Sequence, residues 1–289
     1  MSSGETMEPL REQIVAAVAR LGIRAREIVA ISAPDAAKRG RSTWRVELAS
    51  GATVKARLLE SAAEARRLLG VREGLEYAFA PAIGCDGRVL IEEWVQGRSL
   101  TAPEADARAE ECGALLGRLH LRGREQPVDE LAGEWRLRAQ DDLRALGAAA
   151  VLDALEIDRL AAVLAVGAPR HADRTIAHED FCPSNMILDA RGRLRVIDNE
   201  WFGARPAGLD VGRTFVRWSM ADGAWSRFLR GYRASGSSEP EGLPFWQIAA
   251  ALWTTRLRLA QPDRVGEPLA LLRRLLADAE ARRRSGSTA

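Results

Sequence analysis

The hydrophobic period of this chain changes once, near residue 100, and that change limits the folds open to it. Before it, apolar residues alternate: "TWRVELAS" (43–50) and "ATVKARLL" (52–59) read as two strands around a Ser-Gly turn at Gly51. "REIVAIS" (26–32) adds a strand ahead of a polar loop at 33–42, and "APAIGCD" with "RVLIEEWV" (88–95) adds a pair around Asp86-Gly87. Two helical stretches interrupt this pattern. One runs from Glu8 to Leu21, with Ile14, Val18 and Leu21 on one face. The other covers 61–75 and opens on Ser61 with Glu64 three residues on, a capping-box signature. From Pro103 the period is helical, through Leu115, Leu116 and Leu119 to His120 and then over 129–147, 152–166, 208–220, 223–234, 244–260 and 266–284. The pattern predicts an α+β chain: a β-rich lobe over 1–95, a helical lobe over 96–289, and "EEWVQGRSL" joining them.

One stretch breaks the helical half. "HEDFCPSNMILD" (178–189) is followed by "LRVIDNEW" (194–201), so four polar groups and two short apolar runs share about two dozen residues. Such a hairpin suits phosphoryl transfer from ATP, in which the protein supplies position and charge rather than covalent chemistry. A carboxylate must orient the attacking hydroxyl and take its proton, and hard oxygen ligands must hold Mg²⁺ against the phosphates. Asp180 is the candidate base; Asn185 and Asp198 are the candidate magnesium ligands. Strand alternation across "LRVID" directs Leu194, Val196 and Asp198 to one side.

His-x-Asp with Asn five residues beyond the Asp, followed by Ile-Asp-x-Glu, resembles the aminoglycoside phosphotransferase and choline kinase family, small-molecule relatives of the protein kinases. "LLGRLH" (115–120) is similar to the helix that family carries ahead of its catalytic loop. The resemblance implies a two-lobed protein-kinase-like fold, with a lysine for the non-transferring phosphates on the third strand of the first lobe. That lysine is Lys55; Arg57 shares its face, but a planar guanidinium replaces a compact ammonium poorly. Its implied partner is Glu64, for which the capping box is a rival use. The phosphate-covering loop falls on "KRGRS", with Gly40 and Ser42, and the purine is expected against backbone groups of Glu93 and Val95, beside Trp94. Asp210 either braces the catalytic loop or caps a helix. His178 is read as holding the loop, His120 as a satisfied core histidine, His171 as a surface residue and Cys182 as packing.

Glu179 stands where protein kinases carry an arginine that reads an activating phosphate, and Asp210 follows only twelve positions after Asp198. That leaves no room for a peptide-docking segment and favours a small hydroxyl compound as acceptor. Six acidic and six basic side chains lie in Thr175–Met220, and from Arg256 onward eight arginines face four acids, which disfavours a strongly cationic acceptor. Sugars, nucleosides, macrolides and amino alcohols stay open, as do ATP against GTP and antibiotic resistance against metabolism.

A net charge of +2 is too small an excess to point to nucleic acid, and no apolar run approaches the roughly 18 residues of a membrane span. Three cysteines, Cys85, Cys112 and Cys182, have no metal spacing and fit a reduced, cytoplasmic setting. A monomer or homodimer is expected. Two other classes compete: a catalytically inactive kinase-like nucleotide-binding module, disfavoured because Lys55, Asp180, Asn185 and Asp198 are all present, and a metal-dependent hydrolase, which lacks a second histidine at ligand spacing.

Overall fold

The computed structural model describes residues 8–31, 42–123, 129–198, 202–221 and 223–286. They form two compact units: residues 1–98 with 187–197, and 99–186 with 198–289. The second apolar run of the hairpin therefore groups with the β-rich unit, although the sequence assigns it to the helical lobe. Backbone bonding gives the reason. The Val196 N–H donates to the Ala78 carbonyl (2.8 Å), and Arg195 reaches the carbonyl oxygens of Glu76 and Phe79.

The first unit holds a five-stranded antiparallel sheet in the order β1-β2-β3-β5-β4, from β1 (Ala25–Ala30), β2 (Ser42–Leu48), β3 (Thr53–Leu58), β4 (Ala82–Asp86) and β5 (Val89–Glu93). Val54, Ala56, Leu58, Val89 and Ile91 line one face and pack with Ile14 and Val18 of α1 (Glu8–Arg20). The period-two alternation thus buries one side of the sheet, as a half-covered antiparallel sheet requires. Opposite faces carry opposite chemistry. Lys55 pairs with Glu92 across β3–β5, and Arg57 with Leu90, so Lys55, Arg57 and Glu92 share the face away from α1. Helix α2 (Ala62–Arg72) begins at Ser61, whose hydroxyl accepts the Glu64 N–H (3.1 Å). The capping box is only half made, because the Glu64 carboxylate accepts from the N–H of Glu60 (3.0 Å), one residue before the cap.

The short β6 (Gly97–Ser99) leads to α3 (Ala102–Ala107) and α4 (Ala109–Arg122), followed by α5 (Asp129–Ala148) and α6 (Ala154–Gly167). Strand β7 (Arg174–Ala177) precedes the candidate loop, and β8 (Met186–Asp189) and β9 (Leu194–Val196) follow it. Then β10 (Gly203–Pro206), pairing antiparallel with β7, feeds α7 (Ala207–Trp218), α8 (Ala224–Ala234), α9 (Leu243–Leu257) and α10 (Gly266–Gly286). The β7–β10 pair was not legible in the sequence: four residues each are too short to show a period. The core of this unit gathers Trp135, Leu143, Leu160, Leu209, Trp246 and Leu272 from five helices. Helices α4 and α8 cross at glycines. A Cβ on Gly113 would lie 1.9 Å from the Phe228 carbonyl oxygen, and one on Gly231 would lie 1.9 Å from that of Glu110. Only hydrogen side chains permit that approach, and it brings His120 of α4 within reach of Tyr232 of α8.

Candidate active site

The loop after β7 is held from beneath by one buried carboxylate. Asp210, in the first turn of α7, accepts the backbone N–H of His178 at Oδ2 (2.7 Å) and of Glu179 at Oδ1 (2.8 Å). His120 adds a third bond to Oδ2 (3.1 Å); a carboxylate only accepts, so Nε2 of His120 carries the hydrogen, while its Nδ1 meets the Tyr232 hydroxyl at 2.7 Å. Burial works to raise the pKa of Asp210, but the His120 bond and the charges of His120 and His178 outweigh it and hold the group below the ordinary carboxylate range. Of the two roles open to Asp210 in the sequence, bracing is the one it performs. His120 is the satisfied core histidine, and His178 Nδ1 accepts the Asp180 N–H (3.3 Å), fixing the turn before the candidate base.

Glu179 sits in left-handed backbone (φ 62), costly for a residue with a Cβ. Three contacts impose it: its N–H on Asp210, its carbonyl accepting from Arg213 Nε, and its carboxylate accepting from Arg205 Nε of β10 (2.5 Å). Burial raises the Glu179 pKa and the Arg205 charge offsets only part of that. Where protein kinases place an arginine, this loop thus places a buried carboxylate with an arginine reaching it from β10.

The result is a fixed Asp180. Its side chain is 19% exposed, and it accepts from Arg217 Nε at Oδ1 (2.7 Å), more distantly from Arg217 Nη2 at Oδ2 (3.5 Å), and from Asn185 Nδ2 at Oδ2 (2.9 Å). Asn185, at the end of a short 3₁₀ turn (Pro183–Asn185), also donates to the Asp180 carbonyl (2.9 Å). With the amide nitrogen committed to Asp180, the amide oxygen is the group left for a cation. Asp198 corrects the alternation read from the sequence. Leu194 and Val196 are buried, but β9 ends at Val196, and Asp198 is exposed in left-handed backbone (φ 57). The Asn185 amide oxygen and the Asp198 carboxylate are hard oxygen donors of the kind that suits Mg²⁺; among the described residues no three His, Cys, Asp or Glu side chains cluster as a fuller metal cage would need. Cys182 is buried, its thiol pushed up first by burial and then by the Asp180 charge, and it lies 3.2 Å from the Ser184 hydroxyl, as expected of packing.

The nucleotide-side candidates lie in the first unit. Lys55 faces Glu92 across the strand pair, and Glu92, 3% exposed, accepts from Arg72 of α2 with the Arg57 guanidinium 3.8 Å away. Burial alone would raise the Glu92 pKa; the charges of Arg72, Arg57 and Lys55 lower it. Glu64 turns to its own helix start, as described. Ser42 is buried, and its hydroxyl accepts the Trp44 indole N–H (2.7 Å). The N–H of Glu93 is committed to the Pro81 carbonyl (2.9 Å), Val95 is half-buried, and Trp94 lies beneath the Arg45 guanidinium. Gly40 and the residues 199–201 after Asp198 lie outside the described residues.

Arg205, Arg213, Arg217 and Glu92 escaped the sequence reading. A signal existed for two of them: Asp210, Arg213 and Arg217 fall at i, i+3 and i+7, one face of a helix. Next to Arg217, α7, α9 and α10 enclose a cleft of about 640 Å³ also lined by Trp225 of α8.

Comparison with known proteins bears on the family and the fold. Residues 67–247 match the model of the phosphotransferase enzyme family. No curated protein matches the chain. Choline kinase LicA from Streptococcus pneumoniae superposes with a TM-score of 0.65 at 11% identity, over 95% of this chain and 99% of that one. Its complex with AMP gives 0.61 at 12%, over 95% and 98%. Macrolide 2'-phosphotransferase MphH from Brachybacterium faecium gives 0.61 at 17%, over 88% and 94%. A putative fructosamine-3-kinase from Thermobifida fusca gives 0.56 at 20%, over 89% and 98%. At these identities the likeness is one of fold: a kinase-like α+β architecture with an antiparallel five-stranded sheet in its N-terminal part.

Proposed function

Because the chain belongs to the phosphotransferase enzyme family, we propose that it transfers the γ-phosphoryl group of ATP to a hydroxyl of a small molecule, with Asp180 as the base. The observation that carries this reading is the Asp180 carboxylate itself, oriented by Asn185 and Arg217 on a loop whose two preceding N–H groups are tied to Asp210. Such fixation lowers the entropic cost of aligning an attacking hydroxyl. The acceptor oxygen bonds to the γ-phosphorus as the bond to the ADP oxygen breaks, and the hydroxyl proton passes to Asp180. Asn185 and Asp198 would hold Mg²⁺, which neutralises charge on the phosphates when bound.

Lys55 is the proposed cation for the non-transferring phosphates. Its positioning carboxylate is better assigned to Glu92, its register partner, than to Glu64, which serves the start of α2. Ser42 has its hydroxyl engaged with Trp44, so it is a weaker phosphate candidate than the sequence implied. Of the groups meant for the purine, the Glu93 N–H is already in use, which leaves Val95 as the stronger candidate. Support for an adenine nucleotide comes from the fold shared with a kinase solved with AMP. No helix of the described residues is long and apolar enough to cross a membrane.

The test is transfer of γ-labelled phosphate from Mg·ATP to a panel of hydroxyl compounds, with Asp180→Asn alongside. Labelled product from the wild type, reduced at least a thousandfold in the variant while nucleotide still binds, is the expected result. Equal turnover in Asp180→Asn would remove Asp180 from the chemistry. Bound nucleotide with neither transfer nor Asp180-dependent loss of phosphate to water would favour an inactive binding module.

A further inference from the structure

The cleft beside Asp180 holds two arginines with no carboxylate partner among the described residues, Arg258 and Arg264, and a third, Arg217, whose carboxylate is that of Asp180 itself. Arg258, at the end of α9, and Arg264, in the 3₁₀ turn Pro262–Arg264 before α10, direct their Nη1 groups to one oxygen, that of the Gln261 side chain (3.4 and 3.1 Å). The backbone enforces this. Gln261 N–H donates to the Arg258 carbonyl (2.7 Å) and Arg264 N–H to that of Gln261 (2.9 Å), so consecutive turns set the two side chains beside each other. A neutral amide oxygen shared by two guanidinium groups is a poor substitute for an anion. Arg217 lines the same cleft, with one short bond to Asp180 and its remaining N–H groups not committed to a second carboxylate.

Asp263, Glu267 and Asp278 also line the cleft, yet none forms an ion pair with Arg217, Arg258 or Arg264. With Arg274, the lining carries four arginines against these three carboxylates. Arg258 is held below its ordinary pKa, first by burial and then by the charges of Arg264 and Arg217, although Asp180 and Glu267 both act to raise it.

We propose that the acceptor hydroxyl compound carries an oxyanionic group, a carboxylate or a phosphate, received by Arg258 and Arg264 with Arg217 bridging from it to Asp180. This rests on the reading of Asp180 as the base of a phosphotransferase. The geometry suits it: guanidinium forks pair with planar or tetrahedral oxyanions through parallel N–H bonds, and the same Arg217 that touches the anion also touches the base. A cationic acceptor would instead meet like charge on the side of the cleft next to Asp180.

The test uses matched compounds on two scaffolds: glycerol, glycerate and glycerol 3-phosphate; glucose, glucuronate and glucose 6-phosphate; with choline and glucosamine as cations. Binding to the full chain is followed by tryptophan fluorescence, since Trp225 lines the cleft, and transfer by γ-labelled ATP. The expected result is at least tenfold tighter binding of an oxyanionic member than of its neutral twin, and loss of that preference in the Arg258→Gln, Arg264→Gln double variant. The carboxylate and phosphate arms show which oxyanion is meant. Equal or tighter binding of neutral or cationic members, survival of the preference in the double variant, or no binding of any oxyanion would overturn it. Absence of Asp180-dependent transfer with every compound would instead strike the phosphotransferase reading, and the binding arm separates the two failures.

Discussion

Replacing Asp210 by Asn tests whether one buried carboxylate organises the catalytic loop. The native oxygens accept three N–H groups, two at Oδ2 and one at Oδ1. The amide of Asn can keep the pair at the Oδ2 position by placing its oxygen there, but its NH₂ then faces the Glu179 N–H across a space sized for a 2.8 Å hydrogen bond. One charge-assisted bond is lost, about 1.5–3 kcal/mol, and two buried donors are left facing each other, about 1–3 kcal/mol more. Removing the buried charge returns part of this, so a net loss of about 3 kcal/mol is expected, within the range for breaking a buried network. Domains of about 150–250 residues lose roughly 2–4 °C of midpoint per kcal/mol, which gives a fall of about 6 °C or more. Thermal unfolding followed by tryptophan emission measures it, because most of the tryptophans lie in the second unit. Pairing Asp210→Asn with His120→Phe should give a smaller loss than the sum of the two, since both act on the same bonds. Phosphate transfer should drop on the order of a hundredfold as Glu179 and Asp180 lose their register. An unchanged midpoint with unchanged transfer, or strict additivity with His120→Phe, would refute the bracing argument.

Lys55→Ala is expected to raise the KM for ATP at least tenfold and leave the thermal midpoint of the second unit where it was; unchanged ATP kinetics would move the phosphate role to another cation. The buried carboxylates give opposite pH signs. Asp210, lowered in the folded state, contributes stability above the unfolded value of about 3.9 that is lost as pH falls through its folded pKa. Glu179, raised, contributes stability below the unfolded value of about 4.3 that is lost as pH rises through its folded pKa. Glu179→Gln should therefore gain on the wild type in melting temperature as pH rises through that second window, and a flat difference would contradict the assigned burial. Iodoacetamide at neutral pH should label the half-buried Cys85 before Cys112 and Cys182, whose burial pushes both thiols up; peptide mapping reads the order, and early labelling of Cys182 would show a more open loop.

Local pattern carried a large part of the fold and one half of the site. Alternation over 43–59 and 82–95 was enough for the sheet, because only one of its faces is buried and period two then marks that face. The spacing of Asp180 and Asn185 was enough to bring them together, since a five-residue turn can close on its own hydrogen bonds. Asp198 shows where such reasoning stops: alternation holds only while the strand does, and a left-handed residue after Val196 ends it.

What only the tertiary structure decided is which charges meet. Glu179 and Arg205 are 26 positions apart, His120 and Asp210 are 90 apart, and Asp180 and Arg217 are 37 apart. No period in the sequence links such pairs, because each contact depends on a strand pairing or a helix crossing, such as the glycine approach of α4 and α8, rather than on chain geometry. The sequence alone determined an α+β chain and singled out Asp180 as the candidate base with Asn185 and Asp198 as candidate metal ligands. Packing decided that Asp180 is held by an arginine and that further arginines stand beside it, because a buried charge takes its partner from whichever element folds against it.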